Sequence, residues 1–106
     1  MAETPQLSVI VPCYNERGTV LELLRRVVEV PISKEVIVID DCSTDGSFDL
    51  VADFAKDHPS IRHLRQDKNS GKGAALRRGI EEAVGDIVLI QDADLEYDPM
   101  EYPRLV

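Results

Sequence analysis

The sequence predicts an α/β domain: a mostly parallel sheet of about four strands with helices on both faces. Three observations carry this. Short apolar, β-branched runs alternate with stretches whose apolar residues recur at helical spacing. The order is strand, helix, strand, helix, strand, helix, strand, so every strand is joined to the next by a crossover helix. The polar stretches gather after the strands, at the end where open α/β sheets bind their ligands.

Leu7 to Pro12 (LSVIVP) is the first apolar run, ended by proline. Val20, Leu24, Val27 and Val28 follow at helical spacing and predict the first helix. Glu35 to Asp40 (EVIVID) is a second buried strand. Phe48, Val51, Ala52 and Ala55 mark the second helix, with Ser43, Thr44 and Asp45 as N-cap candidates and Pro59 beyond its end. Ile61 to Gln66 (IRHLRQ) alternates apolar and polar residues, as an edge strand does. Leu76, Gly79, Ile80 and Ala83 predict a third helix closed by Gly85, and Asp86 to Gln91 (DIVLIQ) returns to the pattern of a fully buried strand. After Pro99 the segment MEYPRLV begins what reads as another helix and stops, so the expectation is one domain over residues 1–106, cut short after its last acidic cluster.

Composition narrows the function. With 106 residues, 43% of them hydrophobic, and no tryptophan, the chain has material for one small core. Its net charge is −8 and its lysines and arginines are scattered, which argues against a nucleic-acid partner. Cys13 and Cys42 form neither a metal cluster nor a dense disulfide pattern, so reduced thiols and a cytoplasmic location are the default. No apolar run approaches the roughly 20 residues of a membrane span, and any membrane contact is expected to be peripheral. His58 and His63 read as surface residues remote from the acidic end.

The chemistry concentrates in CYNE after strand one, DDCSTDG after strand two and DADLE after strand four. Asp92 and Asp94, at i and i+2 off a strand end, can converge on a hard divalent cation such as Mg²⁺ or Mn²⁺. The simpler alternative is a turn whose aspartates cap the following backbone, and the place after a buried strand favours the cation. Asp41 can accept hydrogen bonds from a ribose hydroxyl or a base N–H, whereas Ser43, Thr44 and Asp45 read as capping residues. NSGKGAAL is not a Walker loop, because Gln66 and Gly73 stand where glycine and a hydroxyl residue are required. Nor is it a dinucleotide fingerprint, since Leu76 replaces the third glycine and the segment follows the third strand. What remains is a helix N-terminus with Gly71, Lys72 and Gly73, a modest anion site with Lys72 near a diphosphate.

Together VPCYNE, VIDDCSTDG, NSGKGAAL and QDADLEYDP, in this order and spacing, resemble the family 2 glycosyltransferases over nearly the whole chain. DADLEYDP is most similar to the polyprenyl-phosphate branch, which includes dolichyl-phosphate mannose synthase. The resemblance implies the Rossmann-like half of a GT-A fold, a UDP- or GDP-sugar donor, inversion at the anomeric carbon and a lipid-phosphate or other glycan acceptor. Carried over by motif, Pro12, Tyr14 and Glu16 border the nucleotide, Asp41 contacts base or ribose, and Lys72 lies near the donor. Asp92 and Asp94 hold the metal and diphosphate, with Glu96 as a further ligand. Family members are about twice this length or more, and their second halves supply the acceptor contacts and any base, so no catalytic residue is assigned. In the family fold the DAD strand is internal. Here it becomes an exposed apolar edge, predicting self-association through strand four or the terminal segment.

Two other readings fit less well. A Mg²⁺-dependent phosphohydrolase of the haloacid dehalogenase type carries its D-x-D on the first strand, with threonine or valine at the position of Glu96, and a receiver domain carries its aspartate pair after strand one. A non-catalytic nucleotide-binding or assembly module differs from the main reading only in turnover.

Overall fold

The computed structural model describes residues 4–94 and 99; Glu96 and residues 100–106 lie outside the described residues. The elements alternate as expected: β1 (Leu7–Cys13), α1 (Val20–Glu29), β2 (Lys34–Asp40), α2 (Ser47–Ala55), β3 (Ile61–Arg65), α3 (Lys72–Glu82) and β4 (Ile87–Ile90). They form one sheet, ordered β3-β2-β1-β4, with every pairing parallel.

The apolar runs of β1 and β2 are continuous because both strands are central and covered on both faces. Side chains alternate across a strand. Leu7, Val9, Val11, Val36 and Val38 therefore pack with Val20, Leu23, Leu24 and Val27 of α1 and Val51 of α2. Ile10, Ile37 and Ile39 face the other way, onto Ala75 of α3. Each such side chain contributes about 1.5–3 kcal/mol on burial.

Through β1, β2 and β3 the chain steps in one direction, with α1 and α2 on one face. Crossing back to β4 on the far side of β1 puts α3 on the opposite face, because crossovers keep one hand. The order reverses between β1 and β4, and a crevice opens at such a point beyond the strand ends.

Several expectations need correction. On α3 the inward residues are Ala75 and Gly79, flanked by Leu76 and Ala83, while Ile80 is exposed. Gly79 lies so close to β1 that the side chain of Ile10 fills the place of a Cβ. Gly85 does not close α3, whose C-cap is Ala83. It is needed one step later, where a Cβ would stand 2.7 Å from the Ser8 nitrogen and 2.8 Å from the Leu7 carbonyl carbon. Ser8 Oγ accepts the Gly85 N–H at 2.7 Å and donates to Glu35 at 2.6 Å, and Glu35 accepts the Val84 N–H at 2.7 Å. This buried group holds the turn from α3 into β4 against the sheet.

β4 is not buried as its composition alone predicts; it is the exposed apolar edge that the family resemblance implies. Ile87, Val88 and Ile90 are 37%, 43% and 46% exposed, because β4 is an edge strand and no described element lies beyond it. His58 and His63 are half-buried against α2, with ring centroids 4.2 Å from Phe54 and 5.6 Å from Phe48, rather than simple surface residues. Both cysteines are free thiols. Among the described residues no helix is long and apolar enough to cross a membrane.

Candidate functional site

A crevice of about 300 Å³ opens at the carboxyl ends of the strands. Pro12, Cys13, Tyr14 and Glu16 line it from the end of β1, and Asp41 from the end of β2. Lys72 and Ala75 enter from α3, and Asp92, Ala93 and Asp94 follow β4. Seven of the eight residues picked from sequence therefore converge, from segments far apart in the chain; the eighth, Glu96, is outside the described residues.

Asp40 and Asp41 separate by strand alternation. Asp40 is buried on the α1 and α2 face, where its Oδ2 accepts the Ser43 N–H at 2.8 Å and lies 3.8 Å from Arg65 Nε. Asp41 turns toward α3 and the crevice. Its two carboxylate oxygens accept the N–H groups of Ser70 and Gly71 at 2.8 and 2.9 Å. Gly71 has φ +90° and ψ 163°, a conformation closed to residues with a side chain. It lets the loop after β3, held by its bonds to Asp41, turn into α3 and start the helix at Lys72.

Lys72 reaches back across the crevice, its Nζ 2.6 Å from Asp92 Oδ1. The turn that carries Asp92 and Asp94 is itself pinned, because Thr19 donates its hydroxyl to the Ala93 carbonyl at 2.6 Å. Thr19 was not a sequence candidate. A threonine before an apolar helical run signals an N-cap, but its side chain makes no cap bond and secures the acidic turn instead.

Ser43, Thr44 and Asp45 only partly follow the capping expectation. Ser43 Oγ accepts the Asn15 N–H at 2.9 Å, and Asn15 Oδ1 accepts the Thr44 N–H at 2.8 Å. Both residues tie the loop after β1 to the loop after β2, because α2 begins only at Ser47. Asp45 does serve the helix start. It accepts from the Ser47 hydroxyl and backbone N–H and from the Arg17 N–H, and the Ser47 hydroxyl first among these holds its carboxyl below the usual range.

Cys13 lines the crevice floor, and burial, aided by the charge of Asp40, pushes its thiol from 9.0 up to about 12. A protonated thiol is a poor nucleophile. Ala75 and Ala93, also unpicked from sequence, are both buried small side chains whose lack of bulk leaves room above that floor.

A parallel sheet with a charged crevice at its switch point places the chain among α/β proteins that bind ligands beyond the strand ends. The family follows from comparison: residues 8–106 match the model for glycosyl transferase family 2, and the chain belongs to that family. The undecaprenyl-phosphate 4-deoxy-4-formamido-L-arabinose transferase of Pseudomonas fluorescens is 38% identical over 105 residues, covering 94% of this chain and 31% of that protein. The dolichol-phosphate mannosyltransferase of Pyrococcus furiosus is 34% identical over 103 residues, covering 95% of this chain and 29% of that protein. Among solved structures, the mannosyltransferase PcManGT from Pyrobaculum calidifontis, in complex with GDP-Man and Mn²⁺, superposes with a TM-score of 0.83 and 34% identity over 93% of this chain and 30% of its own. S. aureus TarS 1–349 in complex with UDP-GlcNAc gives 0.82 and 30% identity, over 93% of this chain and 29% of that one. The fold is thus that of the GT-A glycosyltransferases. The chain spans about a third of the length of the relatives it matches.

Proposed function

We propose that residues 1–106 form the nucleotide-sugar-binding part of a metal-dependent glycosyltransferase domain. The enzyme would move a sugar from a UDP- or GDP-sugar, with inversion, to a polyprenyl phosphate or another glycan acceptor. One observation carries this reading: Pro12, Tyr14, Glu16, Asp41, Lys72, Asp92 and Asp94 meet in one crevice at the strand ends. The polyprenyl-phosphate substrates named for two relatives, and the GDP- and UDP-sugars bound by two structural neighbours, support the substrate classes.

Pro12, Tyr14 and Glu16 border the nucleotide. Asp41 accepts from base or ribose with the lone pairs that its bonds to Ser70 and Gly71 leave over. The donor set of the acidic turn fits a hard cation. Asp92 and Asp94 offer only oxygen, and a positive charge, the Lys72 ammonium, already rests on Asp92. Among the described residues no group of three or more His, Cys, Asp or Glu could hold a metal ion. Mg²⁺ or Mn²⁺ here would rest on two aspartates, and Glu96 if it reaches, and complete its shell with water and phosphate oxygens. When bound, the cation would stabilise the charge that builds on the departing diphosphate. Cys13, protonated up to about 12, offers no covalent route. A phosphate acceptor needs no strong base, so none of the crevice residues is assigned that role. A polyprenyl acceptor places the enzyme at the cytoplasmic face of a membrane, held peripherally, and the apolar outer edge of β4 suits self-association.

Calorimetric titration with UDP and with GDP, each with and without Mn²⁺, tests the reading. Mn²⁺-dependent binding of one nucleotide, abolished in Asp94→Ala, is expected. Absence of binding to either would leave the chain a family member without a working donor site.

A further inference from the structure

The ion pair between Lys72 and Asp92 joins the first residue of α3 to the turn after β4, across the mouth of the crevice. Its side chains are 58% and 27% exposed, and a pair this open adds little to fold stability. Its position is more informative than its energy. The ammonium sits on one of the two carboxylate oxygens that Asp92 could offer a divalent cation, and two cations at one carboxylate repel each other strongly. Lys72 also has a fixed origin and a long reach. The Ser70 and Gly71 N–H groups are bonded to Asp41, which anchors the backbone entering α3, while four methylenes separate that backbone from the charge.

We propose that Lys72 is an exchangeable counter-ion. It neutralises Asp92 while no metal is present, yields that carboxylate when a divalent cation arrives, and passes its charge to the diphosphate of the nucleotide. This rests on the reading of Asp92 and Asp94 as the cation site. Metal and nucleotide then assist each other through Lys72, beyond their direct contact. The metal frees the ammonium for the diphosphate, and the diphosphate draws the ammonium off Asp92. By linkage the assistance is equal in both directions.

Lys72→Gln separates the two halves of the exchange. Without nucleotide it binds Mn²⁺ roughly two- to fivefold more tightly, the worth of an exposed ion pair that no longer competes. With Mn²⁺ saturating, it binds UDP or GDP about tenfold more weakly, because a charge-assisted contact to phosphate is gone. Free Mn²⁺ followed by electron paramagnetic resonance, alone and with each nucleotide, reads both effects in the wild-type chain, Lys72→Gln, Lys68→Gln and Asp94→Asn. Lys68→Gln removes a charge from the same loop with no contact to Asp92, and should leave Mn²⁺ affinity unchanged. Equal tightening in both lysine variants, or none in Lys72→Gln, overturns the exchange while leaving the metal site standing. Mn²⁺ binding that is absent even with nucleotide, or indifferent to Asp94→Asn, removes the cation site itself and the exchange with it.

Discussion

At the scale of single residues, chemistry in the crevice is set by what each side chain is denied as much as by what it is offered. Cys13 ends β1 beside the acidic turn, where a reactive thiol would be a natural suspicion. Burial first, and the charge of Asp40 second, raise its pKa from 9.0 to about 12. A thiol whose folded pKa is raised contributes stability that is fully present below the unfolded value. That contribution is lost as pH climbs from about 9 toward 12. Two outcomes follow: resistance of native Cys13 to iodoacetamide at pH 8, with modification once urea unfolds the chain, and a fall in denaturation midpoint between those pH values. Native labelling of Cys13 at the rate of a free thiol would show that the crevice floor is open. None of this was legible from the sequence, where Cys13 is only a cysteine at a strand end. Its environment comes from burial first and then from Asp40, its register partner on β2.

Among elements, the loop from β3 into α3 starts a helix where its local signals predict one, while its amides meet a partner that no local signal reveals. NSGKGAAL looked like a helix N-terminus able to attract an anion, and the anion it holds first is the chain's own Asp41. Sequence separates these residues by 29 and 30 positions, so only the sheet order could reveal the contact. The same holds for Gly85. Its place after an apolar helical run suggested a C-cap, but what requires glycine is the backbone of β1, more than seventy positions earlier. Periodicity and turn chemistry are local, whereas such close approaches are made by topology. Asp41→Ala should therefore act as a loop mutation as well as a ligand mutation. Losing two hydrogen bonds to a carboxylate should lower stability by about 1–2 kcal/mol, and the amides of Ser70 and Gly71 should exchange with solvent faster. Unchanged amide exchange in the variant would mean that Asp41 does not fix the start of α3.

For the whole molecule, alternation of strand and helix was enough to read the fold class; the polar strand ends pointed to Asp41, Lys72, Asp92 and Asp94 in the crevice, and the family resemblance added Pro12, Tyr14 and Glu16. Composition alone misreads β4, because IVLI has the make-up of an interior strand, whereas the family resemblance anticipates the exposed edge that the order β3-β2-β1-β4 gives it. That mismatch has a physical consequence. The outer edge of β4 carries backbone groups unpaired by any described strand, beside exposed Ile87, Val88 and Ile90, with Val84 and Ile80 also exposed just before them. Natural sheets blunt such edges with charge, proline or a covering segment. Here the four strand residues carry none of these devices, so a second copy pairing along β4 would bury apolar surface and complete the hydrogen bonding together. Sedimentation velocity should show a concentration-dependent rise in mass, and Val88→Lys, which sets a charge on the exposed edge, should return the chain to monomer with little change in its unfolding midpoint. A wild-type chain that stays monomeric over a hundredfold range of concentration would rule out β4 as an association edge.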